Sequence, residues 1–270
     1  MHTLVVSSQF GTDSRLLRSA AQRLGWQTLR LEGRELPEWF EPPDGNVAVF
    51  CPAPLAFDIA DQLSHTLLGC NPDWTVDLEP SFLKREIRQM TLAAALELAG
   101  KSFVKHALSK TFAAGVYDAG ALAEATSGLS PNSLVHVAEP VEWSIEYRCF
   151  VRDGDVAAIS PYQRFGRILA DNTDSLEATP AEVQEAQDFC LSVLSKVESG
   201  CPPGFVLDVG LIKDRGWAVV ECNQCWAAGI YTCDPSAVLE TLQRALVPSE
   251  SMTDELGRWD FRQHYLRVCG

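Results

Sequence analysis

The segment Gly204–Asn223, GFVLDVGLIKDRGWAVVECN, constrains this chain more than any other. Two strongly apolar runs flank a turn at Asp214–Gly216, the pattern of a β-hairpin whose strands lie in a core. Three oxygen-bearing side chains interrupt those runs: Asp208 on the first strand, Glu221 and Asn223 on the second. Residues two apart on a strand project to one face, and a short hairpin brings Asp208 opposite the Glu221 and Asn223 pair. Two carboxylates and an amide so placed suit magnesium, which keeps the rest of its octahedron for water and phosphate oxygens. The alternative is a solvated hairpin with its charges outward. Unpaired carboxylates in otherwise apolar strands are costly, which counts against it.

The start of the chain reads as a β-α-β unit. Strand Thr3–Ser7 leads to an amphipathic helix over 11–25, with Asp13 or Ser14 as N-cap and Gly25 at its end, and then to strand Gln27–Leu31. A third strand, Val47–Cys51, follows the EPPDGN turn. Strands alternating with helices predict a parallel sheet, here a small N-terminal Rossmann-like α/β lobe over residues 1–80. Residues 81–270 form a second region, with a lid at about 100–140 and a core at about 141–247. Leu83–Ala99 reads as one long helix closed by Gly100. KSFVKHA, SKTFAAGVYD and SLVHVAEPV read as strands, and EYRCFVRDGDVAAISPYQR reads as a hairpin turning at Asp153–Gly154. Thr179, Pro180 and Glu182 open a helix with a capping box, and Ala237 to about Leu246 forms another. The expected class is α/β, with α+β lobes.

A strand bearing Asp208, a hairpin, then Glu221-x-Asn223 and the Gly-bearing loop NQCWAAGIY together resemble the magnesium end of ATP-grasp enzymes. The resemblance implies an ATP-grasp fold in which Asp208, Glu221 and Asn223 hold Mg2+ against the phosphates of ATP. FVKHALSKTF is similar to the family's lid strand, which implies that Lys105, with Lys110 as a second candidate, holds nucleotide phosphates. Taken alone, a lysine in an apolar strand more commonly snorkels to the sheet edge. VHVAEPVEWSIEYRCFV resembles the interlobe hinge, with Glu139, Pro140 and Val141 beside adenine and Glu146 on the ribose hydroxyls. Glu139 reads equally well as an ordinary strand-end acid.

Arg148 and Arg164 lie on the two strands of the first hairpin. Strand periodicity puts Glu146, Arg148 and Phe150 on one face, with Tyr162 and Arg164 returning across it. Paired guanidinium forks match phosphate or carboxylate oxygens, although two arginines on a solvated hairpin are the plain alternative. The pattern most resembles the ATP-grasp clade marked by two arginines and a lysine. That implies that Arg148, Arg164 and Lys105 stabilise the transferring phosphoryl group, with Arg167 a weaker candidate. Two departures stand out. Many members carry an arginine two residues before the metal aspartate, where this chain has Val206, and the glycine-rich phosphate-covering loop of some members is missing. The resemblance covers roughly residues 83–235.

It implies an ATP- and magnesium-dependent ligase joining a carboxylate to an amine through an acyl phosphate. The partners are then ATP with small-molecule or peptide carboxylate and amine substrates. A kinase-like phosphotransferase and a catalytically silent nucleotide-binding module remain as alternatives. Composition narrows the field further. A formal net charge of -14 repels nucleic-acid backbones unless a local basic cleft exists. No apolar run approaches the roughly 20 residues of a membrane span. The start MHTLVVSSQF lacks the basic, then apolar, pattern of a signal peptide, and nine cysteines set mostly in apolar segments read as reduced thiols, so a cytoplasmic location is expected. Cys222 and Cys225 form a C-x-x-C pair, but Cys222 alternates with Glu221 and Asn223 and faces away from them. His106 and His136 read as structural or surface groups, Trp217 and Trp226 as packing, and Trp226 and Tyr231 stand near the expected acceptor pocket.

Overall fold

In the computed structural model, residues 2–7, 11–41, 47–168, 178–197 and 200–269 are described. Strands β1 (Thr3–Ser7), β2 (Gln27–Leu31) and β3 (Val47–Phe50) form a parallel sheet in the order β2-β1-β3. Helices α1 (Gly11–Arg23) and α2 (Ala53–Gln62) supply its connections. Gly25, at φ +74°, closes α1. The helix already runs at Gly11, so Asp13 and Ser14 lie in its first turn and neither is the N-cap. Ser14 Oγ instead donates to Ser7 O at 2.8 Å, and Asp13 Oδ2 accepts from Ile230 N at 3.1 Å. Tertiary partners displace the local cap. Most of the EPPDGN turn lies outside the described residues.

Strand β4 (His65–Leu67) pairs antiparallel with β14 (Leu246–Pro248), tying the first lobe to the end of the chain. The short helix α3 (Pro80–Leu83) follows. The long helix expected over Leu83–Ala99 is absent. Ile87–Thr91 is strand β5, paired with β8, and only Leu92–Leu96 is helical, as α4. The Thr91 hydroxyl caps α4 by accepting from Ala94 N at 3.3 Å. A short apolar run does not distinguish strand from helix by periodicity, and here the open edge of β8 decided.

The lid is a four-stranded antiparallel sheet, β5-β8-β6-β7, with β6 at Ser102–His106, β7 at Gly115–Tyr117 and β8 at Leu134–Ala138. Of SKTFAAGVYD only the last part is strand. Helix α5 (Ala119–Ala125) and α4 cover one face, closing a small core of Leu92, Ala95, Val104, Leu122, Val135 and Val137.

The core sheet has the order β11-β10-β9-β12-β13, with β9 at Trp143–Arg152, β10 at Asp155–Arg164, β11 at Arg167–Ile168, β12 at Gly204–Ile212 and β13 at Gly216–Asn223. Both hairpins form as expected. Asp153 and Gly154 have φ of 52° and 87°, and Asp214 and Gly216 have φ of 63° and 90°. Helix α6 (Pro180–Leu194) carries the expected capping box and covers one face of the sheet, over Tyr147, Cys149, Phe205, Leu207 and Val209. Helix α7 (Pro235–Arg244) packs on the opposite face and against α1 and β3. There Phe150 and Val206 join one continuous core with Leu4, Phe50, Trp226 and Phe261. The first lobe is thus fused to the core sheet through α7. Helices α8 (Asp254–Gly257) and α9 (Phe261–Cys269) end the chain. Among the described residues no helix is long and apolar enough to cross a membrane.

Candidate active site

Directly opposed residues of an antiparallel pair share a face. Asp208 lies opposite Arg148 on β9 and opposite Glu221 on β13, while Val206 lies opposite Phe150 and Asn223. Asp208, Glu221, Asn223 and Arg148 therefore all rise from the face that α6 does not cover. Asn223 Nδ2 donates to Glu221 Oε1 at 2.8 Å and stands 3.5 Å from Asp208 Oδ2, so the three side chains meet around one point. The Asn223 amide presents its nitrogen to both carboxylates, and a half-turn would present its oxygen instead. Among the described residues no three carboxylate, histidine or cysteine groups converge elsewhere. A set of two carboxylates and one amide oxygen suits a hard, oxygen-seeking cation.

Two cations neutralise these acids. Arg148 grips Asp208 with both prongs, donates from Nη1 to Gly229 O at 3.0 Å, and lies over the Tyr162 and Tyr231 rings, which stack on each other at 5.2 Å. Burial pushes the Asp208 carboxyl upward and the guanidinium pulls against it. Lys105, on the lid strand β6, reaches across and bonds Glu221. Burial opposes the Glu221 charge, but Lys105 and the Asn223 amide overcome it and hold the pKa at about 2.

A cleft of about 830 Å³ opens beside this cluster. Every residue from Lys105 to Ala114 lines it, facing Pro52–Pro54 of the first lobe and Glu221 and Asn223 of the core. Lys110 projects from that loop, exposed, so both expected lysines border the same space.

Other expected positions fall differently. Glu146 is buried beneath the cluster, where Tyr162 Oη donates to it at 2.6 Å and Gln163 Nε2 also donates. Burial raises its pKa to about 7, with Asp208 and Glu221 adding to the rise. Glu139 does not reach the cleft. Its exposed carboxylate pairs with Arg215 at 2.7 Å, and its backbone N–H donates to Glu86 O. Val141 follows it, half-buried, at the crossing from lid to core, and neither residue lines the cleft.

Arg164 is the clearest correction. It lies opposite Ile145, on the α6 face, and binds Glu182 at 3.1 Å. The cause is a bulge between Pro161 and Gln163, which places Tyr162 and Gln163 both toward Glu146 and reverses the alternation beyond them. The two arginines therefore sit on opposite sides of the sheet. Arg167 is exposed on β11. Val206 is fully buried in the core against Phe150, so no cation comes from that position.

Sequence reasoning missed Arg85, which donates to Val219 O and Val220 O at 2.7 and 2.9 Å and stacks 4.8 Å from the Trp143 ring. These carbonyls flank the β12–β13 bulge beside Asp208 and Glu221, a feature no residue pattern announces. His136, expected to be structural, is buried, and its Nε2 contacts Pro72 O at 2.9 Å. Burial, with Lys105 nearby, lowers its pKa to about 4. Trp226 is fully buried as expected packing, and Trp217 donates to Glu185 at 3.2 Å.

The sequence matches an ATP-grasp domain, the second family of the clade named for two arginines and a lysine, over residues 82–241. No curated protein matches it. Similar solved structures include the D-cycloserine synthetase DcsG, at 13% identity and a TM-score of 0.54, covering 89% of this chain and 98% of that one. N5-carboxyaminoimidazole synthase from Aspergillus clavatus, in complex with ADP and 5-aminoimidazole ribonucleotide, superposes at 0.52 with 13% identity, over 93% of this chain and 79% of that one. A RimK domain ATP-grasp protein from Sphaerobacter thermophilus DSM 20745 superposes at 0.51 with 12% identity, over 90% and 98%. At these identities the likeness is one of fold.

Proposed function

This chain belongs to the ATP-grasp domains, in the second family of the clade named for two arginines and a lysine, and from that premise we propose that it is an ATP- and magnesium-dependent ligase joining a carboxylate to an amine or similar nucleophile. The observation that carries the proposal is the meeting of Asp208, Glu221 and Asn223 on one wall of a cleft whose facing wall presents Lys105 and Lys110.

Asp208, Glu221 and Asn223 would hold magnesium, which neutralises charge on the nucleotide phosphates when bound. Lys105 and Lys110 bring positive charge to the same phosphates from the lid. Arg148, fixed between Asp208, Gly229 and two tyrosine rings, borders the cleft and is pre-set to face developing negative charge. A substrate carboxylate oxygen attacks the terminal phosphorus and ADP leaves. The amine nitrogen then attacks the acyl carbon, inorganic phosphate departs, and the amine gives up a proton. Phosphoryl transfer needs chiefly positioning and charge neutralisation, so no covalent protein nucleophile is required. Small-molecule and peptide carboxylates are the proposed substrate range. Eight described cysteines are free thiols, which fits a reducing, cytoplasmic setting.

The test is ADP release from ATP with magnesium across a panel of acids and amines, with mass spectrometry of the products. An amide plus ADP is expected, and a stable phosphate ester would point to a phosphotransferase on the same fold. Asp208→Asn and Glu221→Gln should each abolish ADP release. If both retained it, the reading would be wrong.

A further inference from the structure

The cleft loop 107–114 has no ladder hydrogen bonds of its own beyond Ala107 N to Leu134 O, yet it supplies most of one wall of the cleft. Two side chains hold it, one at each end. His106, the last residue of β6, is buried, and its Nδ1 accepts from Leu108 N at 3.3 Å and Ser109 N at 3.1 Å and lies 2.9 Å from Ser109 Oγ. Tyr117, on β7, donates from Oη to Ala113 O at 2.6 Å, and its ring packs edge-on against Phe112 at 6.3 Å. Backbone N–H groups donate only to a lone pair, so the imidazole proton must sit on Nε2. Burial, and next the charge of Lys105, lowers the His106 pKa, which keeps the ring neutral.

We infer that His106 and Tyr117 are positioning residues that shape loop 107–114 to receive the phosphates of a nucleoside triphosphate. The inference rests on the ATP reading of this cleft. A loop lacking glycine cannot collapse freely onto phosphate, and here the fold is imposed from outside the loop by one acceptor and one donor. The arrangement also limits what the loop offers. The Leu108 and Ser109 amides are already committed to His106, which leaves the side chains of Lys110 and Thr111 as the groups presented to anionic oxygens. Holding a loop in its bound shape lowers the ordering cost of binding, so the effect belongs in affinity and not in the chemical step.

Steady-state kinetics in ATP and amide hydrogen exchange test this on the full-length protein. His106→Leu should raise the KM for ATP about tenfold with kcat nearly unchanged, and speed exchange at Leu108 and Ser109. His106→Asn places an amide oxygen where Nδ1 stood and should restore both readouts to within about threefold of the parent. Tyr117→Phe, which removes only a hydroxyl, should raise KM about threefold, and it decides the matter together with His106→Asn if His106→Leu does not fold. Parent-like KM in the folded His106 and Tyr117 variants, with magnesium–ATP binding by the parent intact, overturns the inference alone. A His106→Asn variant as impaired as His106→Leu also overturns it, since ring volume would then matter and not the acceptor. Failure of the parent to bind magnesium–ATP in calorimetry overturns the ATP reading and this inference with it.

Discussion

Arg148 and Asp208 form a two-pronged ion pair between adjacent strands, Nε to Oδ1 at 3.0 Å and Nη2 to Oδ2 at 2.7 Å, with Asp208 wholly buried and Arg148 7% exposed. They stand opposite one another in the β9–β12 register. An arginine two residues before the aspartate would share its strand face; here the cation comes from the neighbouring strand instead. The pair fixes both the carboxylate and the fork before any substrate arrives.

Breaking that pair from one side leaves a buried charge without its partner. Arg148→Leu should destabilise the protein by about 3–5 kcal/mol in urea denaturation and abolish ADP release. Adding Asp208→Leu to it should recover much of the stability and none of the activity, because the two sites are coupled.

The Lys105 and Glu221 bond spans lid and core. A metal ion taking Glu221 releases Lys105 for phosphate, so each ligand prepares the site for the other. ADP should bind about tenfold more tightly with magnesium than without it in calorimetry. Glu221→Gln should make ADP binding indifferent to magnesium.

Glu146 sets a pH dependence of stability. Its folded pKa, about 7, lies above the ordinary carboxylate value, so the folded protein keeps a proton that the unfolded chain releases. That contribution is complete below the ordinary value and is lost as pH rises through about 7. Across this window unfolding free energy should fall by up to about 1.4 kcal/mol per pH unit from this group. Glu146→Gln keeps an acceptor for Tyr162 and should flatten the decline, as read from urea unfolding between pH 5 and 8.

Gly210 lies on the cleft face beneath Trp143. A Cβ there would stand 2.7 Å from the indole ring and 2.9 Å from Ile145 O. Gly210→Ala should therefore destabilise by about 1–3 kcal/mol in urea titration, with Trp143 displaced from its stack with Arg85.

Much of this architecture was legible in advance because its causes are local. Gly25 ends a helix, Thr179 and Glu182 open one, and Asp153–Gly154 and Asp214–Gly216 turn hairpins through backbone angles that few residues accept. The shared face of Glu221 and Asn223 follows from the pleat alone. Where the cause was a partner, the sequence misled. Ile87–Thr91 is a strand because β8 offers an edge, and Asp13 is drawn to Ile230 rather than to its own helix end.

The sequence by itself determined the two hairpins, the first parallel sheet and the three oxygen-bearing side chains that share a site, since alternation and turn chemistry act over a few bonds. Only the tertiary structure decided which cation meets which acid. A single bulge at Tyr162 sends Arg164 to Glu182, and strand register alone puts Arg148 on Asp208. Facing is inherited from residue to residue along a strand, and one extra residue reverses it for everything beyond, while register between strands is set by packing across the whole sheet.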